Sequence, residues 1–156
     1  MNSSFFDAVQ TFLKSKRIAV AGYSNDNKQP ANYIYEKFKN NGYSVYAVNP
    51  KNSSITHIPC YRSLSEISDK IDGVMICTPP DAGLDIIKEC QQLGIQNVWL
   101  HQSFGNGSYN KLAVELCKAE NINCVHSGCP MMFINPDIVH LCIRGILSLG
   151  GRFKKI

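Results

Sequence analysis

The chain has no CxxC pair, no apolar run long enough to span a bilayer and no G-x-G-x-x-G loop. Each absence closes a class of function. A transmembrane helix needs about 20 consecutive apolar residues, so no membrane partner is expected. The N-terminal stretch MNSSFFDAVQTFLKSK lacks a basic leader and a small-residue cleavage site, and Asp7 and Gln10 interrupt its apolar residues. It therefore reads as a short amphipathic helix with Phe5, Val9, Phe12 and Leu13 on one side, and not as a signal peptide. Seven cysteines, an odd number without metal-type spacing, read as reduced thiols of a cytoplasmic protein. Cys77, Cys90 and Cys117 fall in strand or helix patterns and read as small core residues. His57, His101, His126 and His140 are scattered without ligand spacing, so no metal site is expected. The net charge of +4 is mild, and the basic cluster GRFKKI at the C-terminus is too short to argue for nucleic acid.

What is present is an alternation. The 156 residues suit a single domain spanning 1–156, with 44% hydrophobic residues to build its core. Apolar runs at 17–22, 43–49, 73–78, 97–102 and 122–127 read as strands, with a very short strand at 57–61. Several are apolar at consecutive positions, as in parallel strands covered on both faces. Helical patterns at about 3–15, 30–41, 79–93, 108–120 and 136–149 separate or flank them. Pro30 and Pro79-Pro80 open two of these helices, and Gly42 and Gly94 close them. Ser108 is placed to cap the fourth helix, and Asn135-Pro136-Asp137 to start the last. The expected fold is α/β: a doubly wound, mostly parallel, five- or six-stranded Rossmann-like sheet with helices on both faces. Ligands of such sheets lie beyond the carboxyl ends of the strands, where the strand order reverses.

The segments that leave those strand ends are therefore the candidate site. GYSNDNKQP follows the first strand. Gly22 allows a tight turn, Ser24 can donate a hydroxyl to a phosphate, and the next helix offers free N–H groups and a positive dipole end. A plain solvated turn fits the same residues. NPKNSS follows the second strand, where an NAD enzyme carries an acid for the ribose hydroxyls. Asn49, Pro50 and Lys51 stand there instead, with Ser53 and Ser54 nearby. This loop suits a phosphorylated ribose, as in NADP or coenzyme A, although Lys51 alone also reads as an ordinary exposed lysine. In CTPPDA, Thr78 can cap the helix that Pro79 and Pro80 rigidify, or line the crevice. His101 and Gln102 end the next long strand, and either cap the sheet or meet a ligand. Cys129-Pro130 follows Gly128 in a loop, where Cys129 could be an exposed thiol, with His101 and His126 as possible neighbours.

The series VAGYS, VYAVNPK, CTPP, VWLHQSFGN and SGCPMMF resembles the small single-domain CoA-binding proteins, which in turn resemble the N-terminal domain of the succinyl-CoA synthetase alpha subunit. The resemblance covers about residues 15–135. It implies a Rossmann-like domain that binds coenzyme A. It implies that Gly22, Tyr23 and Ser24 hold phosphates, and that Lys51, with Asn49 and Pro50, meets the phosphorylated ribose. It further implies that Thr78 and Pro79 line the crevice, and that His101 and Gln102 border the pyrophosphate or pantetheine arm. Cys129 and Pro130 match a Cys-Pro of the family and are carried as ligand-adjacent. The first loop departs from the family: NDNKQ is longer and more polar than the glycine-rich version of the synthetases. The chain also has no room for the synthetases' second domain with its phosphorylated histidine, so binding and not ligation is implied.

The reading that follows is a non-catalytic binder of coenzyme A or acyl-CoA, with no catalytic residues assigned and a homo-oligomer or protein partner allowed. An NAD(P)-dependent oxidoreductase or redox-sensing domain is the alternative. A Cys129-dependent thiol enzyme acting on CoA thioesters is the third.

Overall fold

The computed structural model describes residues 4–51 and 55–153. Six strands form one sheet: β1 (Arg17–Ala21), β2 (Ser44–Val48), β3 (Cys60–Tyr61), β4 (Gly73–Ile76), β5 (Asn97–Leu100) and β6 (Asn123–Val125). Five helices connect or flank them: α1 (Phe5–Leu13), α2 (Pro30–Asn40), α3 (Pro80–Leu93), α4 (Lys111–Ala119) and α5 (Ile138–Leu149). The strand order is β3-β2-β1-β4-β5-β6, and every pairing between these strands is parallel. This is the order of dinucleotide-binding folds, and its reversal point lies between β1 and β4. The expected doubly wound sheet is thus present, with six strands.

Strand residues alternate between two cores because successive side chains point to opposite faces. Ile18, Val20, Met75 and Trp99 face one layer, made with α1, α2 and part of α5. Ala19, Ala21, Val74, Ile76, Val98 and Leu100 face the other, made with α3 and α4. Trp99 is fully buried with Phe12 edge-on to its ring, centroids 5.3 Å apart. Its indole N–H donates to the Ser127 and Gly128 carbonyls at 3.1 and 3.2 Å. The bulkiest core side chain therefore fixes the turn after β6.

The five longer strands stop one or two residues before the expected ends, because the ladders end there and the chain turns out to form the loops, whereas β3 ends at the expected Tyr61. Two expected caps are corrected. Ser108 does not cap α4. It is buried, and its N–H closes a loop onto the His101 carbonyl at 2.8 Å. Gly107 makes that closure possible: its φ is +54°, and a Cβ there would stand 2.3 Å from the His101 carbonyl oxygen. The cap of α4 is Asn110, whose side chain accepts from the Ala113 N–H at 3.2 Å. Thr78 does not cap α3, whose N-cap is Pro79. Ser53 and Ser54 lie outside the described residues. Among the described residues, no helix is long and apolar enough to cross a membrane.

Candidate functional site

A cleft of about 680 Å³ opens at the carboxyl ends of β1, β2 and β4, at the reversal of strand order. Its volume lies in the range of small-molecule and cofactor sites, about 300–1,000 Å³. Its floor is Ala21 and Gly22, and one wall is Val48, Asn49 and Pro50. The opposite wall is Cys77, Thr78 and Pro79, continued by Ala82, Asp85, Ile86 and Glu89 along α3.

Gly22 has φ +102°, a conformation that side chains rarely adopt. A Cβ at this position would stand 2.6 Å from the Cys77 carbonyl oxygen. The absent side chain lets the β1 and β4 loops close to form the floor.

The following loop is ordered by polar side chains, not by further glycines. Asn32 binds both backbone groups of Ser24: its Oδ1 accepts from the Ser24 N–H at 3.1 Å, and its Nδ2 donates to the Ser24 carbonyl at 2.7 Å. Asn32 is buried. Asp26 accepts from the Lys28 N–H at 3.0 Å and from the Gln29 amide at 2.8 Å. These bonds, the Lys28 N–H foremost, hold its carboxyl below the ordinary range. The Ser24 hydroxyl accepts from the Asp26 N–H at 3.1 Å and makes a long 3.5 Å contact to the Asp26 carbonyl, a proton that a stronger acceptor could take.

Asn49 joins two rims of the cleft. Its Nδ2 donates to the Tyr23 carbonyl at 2.6 Å, and its Oδ1 accepts from the Lys51 N–H at 2.8 Å. An aspartate in its place could not donate to Tyr23, so the amide suits this junction where an acid would not.

The helix starts divide in a telling way. α1, α4 and α5 are capped by the side chains of Ser4, Asn110 and Asp137. α2 and α3 begin at Gln29 and Pro79, neither of which makes a side-chain cap bond, and both residues line the cleft. Pro30 and Pro80 bring no N–H to these starts and the Asn32 N–H is bonded to the Gln29 carbonyl, so what no side chain caps is the Ala31 N–H of α2, the Asp81 and Ala82 N–H groups of α3 and the two positive dipole ends. Thr78 Oγ1 is a further unsatisfied group there, buried without a hydrogen-bond partner. Arg62 and Ser63, just beyond β3, add the cleft's basic side chain and a hydroxyl.

The structure therefore brings together Gly22, Ser24, Asn49, Pro50, Thr78 and Pro79 of the expected residues. Tyr23 turns away: it is 4% exposed, packs edge-on against Tyr35, and its hydroxyl meets His57 Nε2 at 2.9 Å. Lys51 is exposed outside the cleft lining. His101, Gln102, Cys129 and Pro130 also lie outside that lining. Gln102 and Gly128 form an antiparallel bridge that ties the ends of β5 and β6 to each other. The Gln102 side chain donates to the Gly105 carbonyl at 3.0 Å. Burial holds the His101 imidazole below its ordinary range, so it is neutral at pH 7.

Cys129 is not an exposed thiol, although its place in a loop allows one. It is buried, and burial pushes its thiol up to about 11. The opposing pull comes from the Met131 backbone N–H and not from an imidazole. Such a thiol is a weak nucleophile at neutral pH.

Sequence reasoning missed Arg62, Ser63 and the α3 face. A signal existed for both. Arg62 and Ser63 leave the end of the short strand expected at 57–61, and Ala82, Asp85, Ile86 and Glu89 follow helical spacing from Pro79.

An ADP-forming acetate–CoA ligase II of Archaeoglobus fulgidus is 30% identical over 115 residues, 69% of this chain and 17% of the ligase. The chain thus spans under a fifth of the length of that relative. A solved structure of a hypothetical protein from Pyrococcus horikoshii matches with a TM-score of 0.73 and 26% identity, covering 83% of this chain and 88% of the other. A dinucleotide-forming acetyl-coenzyme A synthetase from Ca. Korarchaeum cryptofilum matches with a TM-score of 0.56 and 26% identity, over 68% of this chain and 24% of that one. The family model of the CoA binding domain matches residues 16–135, from the residue before β1 to the turn before α5. This chain belongs to the CoA-binding domain family.

Proposed function

We propose that the chain is a non-catalytic binding module for coenzyme A or an acyl-CoA, and that the cleft at the β1–β4 reversal is its site. The observation that carries this reading is the pair of uncapped helix starts. Natural helices are commonly closed by a side-chain acceptor worth about 1 kcal/mol. Here the two that face the cleft are left open, while the other three are closed. A ligand with several phosphate oxygens would supply those acceptors.

In this reading, Gly22 and Ser24 hold the pyrophosphate against the start of α2. Thr78 and Pro79 hold the other side, at the start of α3. The phosphate on the ribose lies toward the β2–β3 side, with Arg62 in the cleft and Lys51 on its rim. Arg62 suits that role because a guanidinium can bind phosphate oxygens bidentately. Asn49 holds the two rims at a fixed spacing. Tyr23, His101, Gln102, Cys129 and Pro130 keep the loops in place and do not touch the ligand. The raised Cys129 thiol supports binding over thiol catalysis, and the amide at Asn49 supports CoA over NAD.

Titration calorimetry of the full chain with coenzyme A, dephospho-CoA and NADP tests the reading. Binding of coenzyme A that weakens when the ribose phosphate is removed supports it. Preference for NADP, or no binding of either, would contradict it.

A further inference from the structure

From the outward face of α5 we infer that this helix is a self-association surface, pairing two copies of the chain about a two-fold axis. The helix reads IVHLCIRGILSL and buries a single residue, Leu147. On the opposite side, Ile138 is 78% exposed, Val139 64%, Leu141 40%, Ile146 61% and Leu149 92%. A surface helix ordinarily places polar residues there. α2, packed on the same layer of the sheet, does so with Glu36 and Lys39 exposed.

The charged groups of α5 and its cap are engaged with the chain itself. His140 Nδ1 meets the Asp137 carboxylate at 2.8 Å. Arg144 donates to the Met132 carbonyl at 3.2 Å and lies over the Phe133 ring at 5.8 Å. The outer face is left neutral and apolar.

Three features favour a second copy as the occupant. A neutral face is self-complementary, because in an isologous contact each patch meets its own copy and like charges would oppose one another. Cys142 and Gly145 are small and exposed on this face, and a Cβ built on Gly145 meets nothing within 4 Å. They leave room for the backbone of a second helix to approach closely. The five exposed apolar side chains present roughly 600 Å², so two copies would bury about 1,200 Å², the lower edge of a stable interface. α5 also lies beyond residues 16–135, so the face is separate from what the family match covers. It does not depend on which ligand fills the cleft.

Sedimentation equilibrium of the full 156-residue chain, from low micromolar to hundreds of micromolar, is the test. The expected result is a reversible monomer–dimer equilibrium that the double variant Ile138→Glu/Leu149→Glu shifts at least tenfold toward monomer, with an unchanged circular dichroism spectrum. Paired helix axes lie about 8–10 Å apart, so a short bis-maleimide should join Cys142 between copies, and Cys142→Ser should abolish the product. A wild-type monomer throughout the range overturns the inference without recourse to any variant. So does a dimer that neither the double variant weakens nor the Cys142 cross-link reports, or binding of the face to lipid vesicles with no self-association.

Discussion

The five helices of this domain begin in two different ways. Three start under a side-chain cap: Ser4 on α1, Asn110 on α4 and Asp137 on α5. The other two, α2 and α3, start bare at Gln29 and Pro79, on either side of the cleft. The difference separates what the fold needs for its own stability from what it leaves for a ligand. A missing cap costs about 1 kcal/mol, and here the omission falls where anion binding is proposed. The strand ends divide in the same way. Those of β1, β2 and β4 open into the cleft, while those of β5 and β6 are tied together by the Gln102–Gly128 bridge.

The strongest way to break this comparison is to close the floor. Gly22→Val combines a disfavoured backbone angle with an overlap against the Cys77 carbonyl oxygen, at a cost of about 3 kcal/mol or more. Denaturant unfolding should show that loss, and coenzyme A binding should disappear. Next comes Arg62→Ala. Losing a charged contact to phosphate is worth about 1–3 kcal/mol, so coenzyme A affinity should fall roughly ten- to a hundredfold while dephospho-CoA affinity stays put. Lys51→Ala, at an exposed rim position, should cost no more than about 1 kcal/mol.

Capping the bare helix sharpens the contrast further. Gln29→Asp would give α2 an acceptor of its own, stabilising the ligand-free chain by about 0.5–2 kcal/mol. The same carboxylate would repel a phosphate, so coenzyme A should bind more weakly in the more stable protein. Ser4→Ala is the control: it removes the cap of α1, away from the cleft, and should cost about 1 kcal/mol of stability and leave affinity unchanged. If Gln29→Asp left affinity intact, the bare start of α2 would not be a phosphate site.

The smallest effect expected is at Cys129. With its thiol pushed up to about 11, it should resist alkylation at pH 7 and react faster as pH rises toward that value. Mass spectrometry should find the exposed Cys142 labelled first.

Much of the fold was legible because its signals are local. IAVA and GVMI are short uninterrupted apolar runs, the pattern of parallel strands covered on both faces. Gly22, Ser24, Asn49, Pro50, Thr78 and Pro79 were legible as site residues because each sits directly beyond a strand next to the reversal. His101, Gln102, Cys129 and Pro130 carried the same strand-end signal but lie beyond β5 and β6, past the reversal. Arg62 and Ser63 carry the same strand-end signal, but it is weak there because β3 has only two residues and stands at the edge of the sheet. The outward side of α5 was hidden for another reason. IVHLCIRGILSL carries apolar residues on several sides, and sequence does not say which of them the rest of the chain leaves uncovered. The caps at Ser108 and Thr78 misled because hydroxyl residues before a helix look alike, whether they cap it or, like Ser108, help close a buried loop.

The central claim is that the cleft binds coenzyme A through its phosphates, including the one on the ribose. Calorimetric titration of the unmodified chain with coenzyme A and then dephospho-CoA, at one salt concentration, tests it most directly. The account predicts one site per chain and an affinity roughly tenfold or more higher for coenzyme A. Equal affinity for the two would contradict the assignment of the ribose phosphate, and no binding of either would contradict the site itself.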